Sequence, residues 1–169
     1  IQGEIGYLPE NPYLYDHLTL SELLNFCGRT SGLTGPRSAR RIDELLDKVD
    51  MAAAQNRPLR TFSKGMLQRA GICLALLHGP SVVILDEPMS GLDPLGRKMV
   101  LDLVFELKNE GKTIFFCSHI LSDVERLCDR IGVLSGGRLV KEFKPEDFRQ
   151  DDRRPLHLLV GDLNRAQRD

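Results

Sequence analysis

Two short apolar runs, each ending in polar residues, constrain the fold of this 169-residue chain more than any other feature. The first is Val-Val-Ile-Leu at positions 82–85, which Asp86 and Glu87 follow directly. The second covers positions 114–117. Apolar runs without polar alternation are typical of strands buried on both faces, as in parallel sheets. Since a helical pattern at 94–110 separates them, the sequence predicts an α/β fold with a parallel sheet.

The segment before these strands predicts a different kind of structure. Residues 4–8 form a short strand pattern that Pro9 ends. Thr19 and Glu22 have the spacing of a capping box, and apolar residues then recur at helical intervals as far as a Gly-Pro pair at 79–80. We therefore expect three helices, over residues 20–29, 37–49 and 64–77.

After the second apolar run the sequence predicts one more helix, at 120–128, and a hairpin. Strand patterns at 130–134 and 138–143 flank a Ser-Gly-Gly turn signal. In the last segment only 156–160 is expected to be structured. The chain thus divides into four predicted parts, which are a strand region (1–10), a helical subdomain (11–79), half of an α/β core (80–143) and a C-terminal tail (144–169).

Asp86 and Glu87 stand where the first apolar run ends, and ligands bind at the carboxyl ends of strands in open α/β sheets. Successive side chains of an extended chain point opposite ways, so the two acids are expected to differ in role. Asp86 is suited to hold Mg²⁺ through water, and Glu87 to act as a base towards an attacking water. The alternative interpretation is a solvated strand end that is merely acidic.

Ser63 precedes the third predicted helix as an N-cap, with Lys64 and Gly65 in the first turn. Free amide groups, a lysine, and a glycine that lets the backbone approach a ligand together favour phosphate binding. An ordinary capped helix explains the same residues when they are taken alone.

His119 follows the second apolar run, so it is expected to share a sheet edge with Glu87. A histidine there can donate to a phosphate oxygen or hold a carboxylate in place. A Gly-Lys-Thr at 111–113 imitates the end of a phosphate-binding loop, GxxxxGK[ST]. That pattern requires a glycine five residues before Gly111, however, and this sequence has Glu106 there. The segment also runs helix–turn–strand, whereas a phosphate-binding loop runs strand–loop–helix, so the match is a decoy.

Composition excludes several functional classes. The net charge of −1 and the absence of Trp argue against nucleic-acid binding, which needs basic surface or stacking aromatics. The four cysteines form no CxxC pair and are expected to be reduced thiols. No apolar run approaches the ~20 residues of a membrane span.

Taken in order, these segments resemble the motifs of the ATP-binding cassette (ABC) ATPases. The matching segments are residues 6–10 (Q-loop region), 62–69 (LSGGQ signature), 82–88 (Walker B strand), 90–94 (D-loop) and 118–119 (switch histidine). The resemblance covers about residues 4–143. It implies a P-loop NTPase (RecA-like) ABC ATPase core with an α-helical subdomain.

The resemblance implies roles for the residues at the predicted sheet edge. Asp86 would help hold Mg²⁺, Glu87 would polarise the hydrolytic water, and His119 would contact the γ-phosphate and Glu87. Glu10 stands where the family usually has Gln. Because a carboxylate is also a hard oxygen ligand, contact with Mg²⁺ is expected to survive that change.

The resemblance also implies roles that cross between subunits. Ser63 and Gly65, with Lys64 and Met66 beside them, would bind ATP held by the opposite subunit, and Asp93 would cross the dimer interface. Lys64 replaces a signature Gly and Met66 replaces the Gln. This form of the signature is similar to that of ABC-2-type exporters.

One part of the family pattern is absent from these 169 residues. The family places a P-loop and an adenine-stacking aromatic segment ahead of the Q-loop, and neither stands in this sequence. The resemblance therefore implies an N-terminally truncated cassette, and the fragment alone is expected to bind ATP poorly and to be inactive.

The function implied is that of an ATP-binding and ATP-hydrolysing subunit of a membrane ABC transporter, an exporter, driven by nucleotide-dependent dimerisation. ATP and Mg²⁺ are the implied cofactors. The implied partners are a transmembrane permease and a second ATPase subunit, in a homodimer or a heterodimer, without nucleic acid. The implied location is the cytoplasmic inner face of the cell membrane. The alternatives are a soluble ABC ATPase for DNA repair or ribosome work, and a non-hydrolysing interaction or regulatory fragment.

The loop at 11–16 is the segment that the resemblance places against the permease. It would receive the coupling helix of the permease. The alternative is a plain surface loop in which Tyr13 and Tyr15 pack against the protein.

Overall fold

The computed structural model describes the backbone of residues 3–150 and the side chains of residues 3–147. The predicted structure at 156–160 lies outside the described residues. The chain forms two compact units, Ile1–Leu127 and Cys128–Asp169. The predicted four-part division differs from this in its boundaries and stays a prediction.

The first unit contains a parallel sheet of three strands, β1 (Ile5–Leu8), β2 (Val82–Asp86) and β3 (Thr113–Cys117), with β2 in the centre. Leu8 pairs with Leu85, which pairs with Phe116. The parallel arrangement that the two apolar runs predict is therefore confirmed. All three carboxyl ends lie at one edge of the sheet.

Five helices belong to the same unit. They are α1 (Leu20–Thr30), α2 (Gly35–Lys48), α3 (Lys64–Leu76), α4 (Pro94–Asn109) and α5 (Leu121–Leu127). The capping box of α1 is complete, since Thr19 Oγ1 accepts from the Glu22 amide and Glu22 Oε2 accepts from the Thr19 amide. Helix α2 begins two residues earlier than predicted, because Pro36 occupies its first turn, where a proline needs no hydrogen bond.

The helical part of the unit has an apolar core. Leu20 and Leu24 of α1, Leu45 of α2, and Ile72 and Leu76 of α3 are all at most 1% exposed. Burying one such side chain stabilises the fold by about 1.5–3 kcal/mol. This packing fixes α3, whose N-terminus carries the predicted signature residues.

The second unit contains the predicted hairpin, β4 (Ile131–Ser135) and β5 (Arg138–Phe143), which pair antiparallel. Gly136 and Gly137 have φ values of +55° and +74°, a conformation that glycine adopts without steric cost and that a tight hairpin turn requires. A short helix, α6 (Pro145–Gln150), follows. The expectation that only 156–160 is structured after residue 143 is therefore wrong. Lys144 N donates to Asp147 Oδ2 at 2.8 Å at the start of this helix, a local cap that the mixed charge of the segment obscured.

None of the helices among residues 3–150 is long and apolar enough to cross a membrane.

Candidate active site

The predicted functional residues of the three strands meet at the carboxyl edge of the sheet. Asp86 is the last residue of β2, Glu10 follows β1 by two residues, and His119 follows β3 by two residues. The register Leu8–Leu85–Phe116 places these positions side by side. The expectation that Glu87 and His119 share one edge of the sheet is confirmed, because parallel strands end together.

Glu87 and His119 are in direct contact. The Glu87 Oε1 atom accepts hydrogen bonds from the backbone amide and from Nδ1 of His119, each at 2.9 Å. Since a carboxylate can only accept, Nδ1 of His119 carries a proton in this pair. The His119 side chain is 77% exposed, whereas that of Glu87 is 22% exposed. The half-buried Glu87 carboxylate is thus oriented by His119, whose ring is exposed to solvent.

The backbone of Glu87 is held in an unusual conformation. Its φ of +46° lies in the left-handed region, which costs a non-glycine residue about 1–2 kcal/mol. The Glu87 amide donates to the Cys117 carbonyl of β3 at 3.0 Å, and the Glu87 carbonyl accepts from the Ser90 amide at 2.9 Å. These bonds offset the strain and turn the chain sharply as it leaves β2.

A third bond to this backbone comes from α3. Gln68 Nε2 donates to the Glu87 carbonyl at 3.2 Å. Gln68 is 1% exposed, and among the described residues its Oε1 is a buried side-chain oxygen without a hydrogen-bond partner. Leaving such an oxygen unpaired costs about 1–3 kcal/mol.

The metal-binding potential of this edge rests on few carboxylates. The described residues contain no group of three or more His, Cys, Asp or Glu arranged to hold a metal ion. Mg²⁺ at phosphoryl-transfer sites is held by one or two carboxylates together with phosphate oxygens and water, rather than by a protein cage. Asp86, half-buried at the end of β2, and the exposed Glu10 fit that requirement.

The thiol of Cys117, which pairs with Asp86 in the sheet, is expected to be unreactive near pH 7. Burial raises the pKa of Cys117, and the negative charges of Asp86 and Glu87 raise it further. The thiol is therefore neutral near pH 7, and it does not supply a thiolate ligand or nucleophile.

The N-terminus of α3 presents the predicted signature residues. Ser63 Oγ accepts from the Met66 amide at 3.3 Å, so the expected N-cap forms. Ser63 and Lys64 are exposed, and Gly65 and Met66 are half-buried. No acidic residue stands in the first turn, so the positive end of the helix dipole is not neutralised there.

Gly65 also has a packing role that the sequence did not reveal. A Cβ added at Gly65 would lie 2.9 Å from the carbonyl oxygen of Gly91, closer than real Cβ atoms tolerate without a shift. Helix α3 thus approaches the segment after β2 closely. The glycine serves this approach whether or not a phosphate binds nearby.

Asp93 caps α4. Its Oδ1 accepts from the Gly96 amide at 2.8 Å and lies 3.7 Å from Arg69 Nη2. The Asp93 side chain remains 63% exposed. The structure therefore shows a local role for Asp93, and its part in a dimer interface stays a prediction.

Two residues in this region escaped the sequence analysis. Gln68 and Arg69 lie within the signature segment 62–69, and the sequence pattern predicts no contacts for them. In the structure Gln68 reaches Glu87, and Arg69 reaches Asp93 as well as the Val49 carbonyl at 3.3 Å. The sequence signal for the Gln68 contact is the position of a glutamine in a helix whose neighbouring turns are apolar. A polar side chain at a position of that kind needs a buried partner.

The loop at 11–16 leaves its aromatic residues outside. Tyr13 is fully exposed and Tyr15 is 59% exposed, with its ring at an angle of 70° to the ring of His17. The interpretation in which Tyr13 packs against the protein is wrong.

Comparisons with known proteins agree with this arrangement. A family model described as "ABC transporter" matches residues 1–90. An uncharacterized ABC transporter ATP-binding protein of Nostoc is 51% identical over 142 residues, which are 83% of this chain and 42% of that protein. The bacitracin transport ATP-binding protein BcrA of Bacillus licheniformis is 38% identical over 167 residues, or 98% of this chain and 54% of that protein. The chain thus spans about half the length of these relatives.

Solved structures give the same result for the fold. The ATP-binding subunit of an ABC transporter superposes with a TM-score of 0.80 at 35% identity, covering 89% of this chain and 62% of that one. The cbiO1 protein of Clostridium perfringens, part of the transporter complex cbiONQ, gives a TM-score of 0.73 at 26% identity, with 89% of this chain and 61% of that one covered. The family match, which takes in more than half of the chain, and the shared α/β core lead to one conclusion: this chain belongs to the ABC transporter family and has the P-loop NTPase fold of its ATP-binding subunits.

Proposed function

We propose that the complete protein binds and hydrolyses ATP as a subunit of a membrane ABC transporter. The observation that carries this proposal is the Glu87–His119 pair at the carboxyl edge of the sheet, where both His119 bonds end on the same carboxylate oxygen, Oε1. No described residue bonds to the other oxygen of Glu87, which we infer accepts a proton from the attacking water. A carboxylate with one oxygen held and the other open supports a general-base role, which requires an accepting atom within hydrogen-bond reach of the water.

In the proposed reaction a water oxygen attacks the γ-phosphorus of ATP. The bond from that phosphorus to the β,γ-bridging oxygen breaks, ADP leaves with the electron pair, and Glu87 accepts the proton of the water. His119 keeps the carboxylate aimed at the water. Asp86 and Glu10 would hold Mg²⁺, and the ion would supply charge neutralisation at the phosphate oxygens.

The second half of the proposed site comes from another ATPase subunit. The amides at the start of α3, with Ser63, Lys64, Gly65 and Met66, are suited to the γ-phosphate, because helix N-termini attract anions. Asp93 would then lie at the interface of the two subunits. Closure of the two chains on ATP would complete the phosphate contacts and drive the transport cycle.

A transmembrane permease is the second proposed partner, with the subunit lying on the cytoplasmic face of the membrane. The exposed Tyr13 and Tyr15 give the loop at 11–16 an aromatic surface for the permease. Relatives named for bacitracin transport and lantibiotic transport support a transport role, and we infer an exporter from them and from the form of the signature.

The hydrolysis proposal is tested by Glu87→Gln in the complete protein. We expect ATP turnover to fall by about 100-fold or more, since a positioned base contributes 10²–10⁴ in rate. ATP affinity should change little, because the amide keeps the shape of the side chain. Steady-state phosphate release and equilibrium ATP binding measure the two effects.

Glu106→Gln is the matched control, because Glu106 is a half-exposed acid on α4 that pairs with Lys48 away from the sheet edge. It should retain full turnover. Undiminished turnover in Glu87→Gln would rule out Glu87 as the base. An inactive wild-type protein that still binds ATP would favour the non-hydrolysing alternative.

A further inference from the structure

Helix α3 and the segment that follows β2 are joined at three places. Gln68 donates to the Glu87 carbonyl at 3.2 Å, the backbone at Gly65 closely approaches the Gly91 carbonyl, and Arg69 lies 3.7 Å from Asp93. These three contacts tie the first turns of α3 to positions 87–93 of the chain. Of the three, the Gln68 contact acts on the residue that carries the proposed base.

The orientation of the Gln68 amide follows from its partner. A carbonyl oxygen can only accept, so the Gln68 atom at 3.2 Å from the Glu87 carbonyl must be the nitrogen. The amide oxygen is then left buried and unpaired within the described part of the chain. An apolar side chain of the same shape would avoid that cost. Stability alone therefore does not account for a glutamine here.

The Glu87 backbone needs external support. It has a φ of +46° and precedes Pro88, which further restricts its conformation. Two of its bonds are made by backbone groups, the Cys117 carbonyl and the Ser90 amide. The bond from Gln68 is made by a side chain and comes from α3. It thus links the Glu87 peptide to the helix proposed to meet the partner's nucleotide.

We propose that Gln68 is a positioning residue for Glu87. By holding the Glu87 carbonyl, Gln68 fixes the peptide from which the carboxylate projects and ties its orientation to the position of the α3 N-terminus. The base would reach its working geometry when α3 is drawn onto the nucleotide of the second subunit. This inference rests on the proposed hydrolytic role of Glu87.

The test is Gln68→Met in the complete protein. Methionine keeps the length and volume of the side chain and removes both polar atoms, so it deletes the bond to Glu87 and the unpaired oxygen together. We expect kcat to fall by about 10- to 100-fold, as misplacement of a reacting group does, while the KM for ATP changes less than about threefold. The melting temperature should stay unchanged or rise.

Ile72→Met is the matched control. Ile72 lies one turn further along α3 and is 1% exposed, so this variant places the same buried methionine in the same helix without touching Glu87. Its kcat should remain within about twofold of wild type, since such a swap conserves volume.

A second readout does not depend on turnover. If Gln68 holds the Glu87 peptide, the Ser90 and Glu87 amides should exchange hydrogen faster in Gln68→Met than in Ile72→Met, with unchanged exchange in the middle of α3. Wild-type kcat in Gln68→Met, or a loss of kcat that Ile72→Met shares, would overturn the positioning role. Equal exchange of both amides in the two variants would overturn it as well. Absence of turnover in the wild type would instead overturn the proposed function.

Discussion

Several residues of the sheet edge combine a structural contact with an exposed functional group. Asp93 caps α4 yet keeps most of its side chain exposed, and Glu87 anchors a strained turn while its second carboxylate oxygen stays available. Cys73 and Cys117 show the opposite case, in which burial raises the pKa of the thiol and so keeps it neutral near pH 7. Burial raises the pKa of Cys73 to about 12.

The raised pKa of Cys73 predicts a dependence of stability on alkaline pH. The folded thiol stays neutral up to about pH 12, whereas the unfolded thiol ionises near the ordinary thiol pKa of 9.0. Below pH 9 both states are protonated and Cys73 adds no pH dependence. Above it the unfolded chain binds fewer protons, so stability falls as pH rises, by at most about 1.4 kcal/mol per pH unit.

Cys73→Ala isolates this effect. The free energy of unfolding of wild type minus that of Cys73→Ala, measured by urea titration between pH 7 and 11, should be constant to about pH 8.5 and then decrease. A difference that does not change over this range would contradict the buried, neutral thiol.

At the scale of elements, sequence patterns predicted the strands and most helices because burial on both faces, capping and glycine turns are local signals. The shared edge of Asp86, Glu87 and His119 followed from parallel pairing alone. The bond from Gln68 to Glu87 was not predictable, since it joins positions 19 residues apart through the packing of α3 against the turn. Likewise, no local sequence pattern predicts the positive φ of Glu87, which precedes a proline.

The cap of α4 gives a prediction at this scale. Asp93→Ala should lower stability by about 1 kcal/mol, because the Gly96 amide loses its acceptor. Asp93→Asn should keep most of that stability, since asparagine is an equally good N-cap. Thermal unfolding of both variants in the complete protein measures the difference. Equal losses in the two variants would show that charge, and not capping, is what Asp93 contributes to stability.

At the scale of the whole molecule, one face of the parallel sheet is uncovered within the described residues. Tyr7 of β1 pairs with Ile84 of β2, which pairs with Phe115 of β3, and the two aromatic residues are 55% and 59% exposed. Parallel sheets are normally covered on both faces. An apolar row of this kind favours association of the isolated chain.

The 169-residue chain is expected to bind ATP weakly by itself. It contains no GxxxxGK[ST] segment in the strand–loop–helix setting that cradles phosphates, so the amide contacts that such a loop makes with the phosphates are missing from these 169 residues. A titration of the dilute chain with Mg-ATP should give a Kd on the order of 1 mM or weaker, about −4 kcal/mol. Micromolar affinity would contradict this expectation.

The central claim is that two copies close on ATP, with the sheet edge of one meeting α3 of the other. Light scattering of the complete protein carrying Glu87→Gln tests this claim most directly. The protein should be a dimer with ATP and a monomer with ADP, because slow hydrolysis preserves the closed state. A second substitution in this variant, Ser63→Asn, should leave the ATP-dependent dimer intact. Ser63→Asp in its place should abolish the dimer, because aspartate is an equally good N-cap but its negative charge repels the phosphates. An ATP-dependent dimer that survives Ser63→Asp, or a monomer in ATP without any change at Ser63, would contradict the two-subunit site.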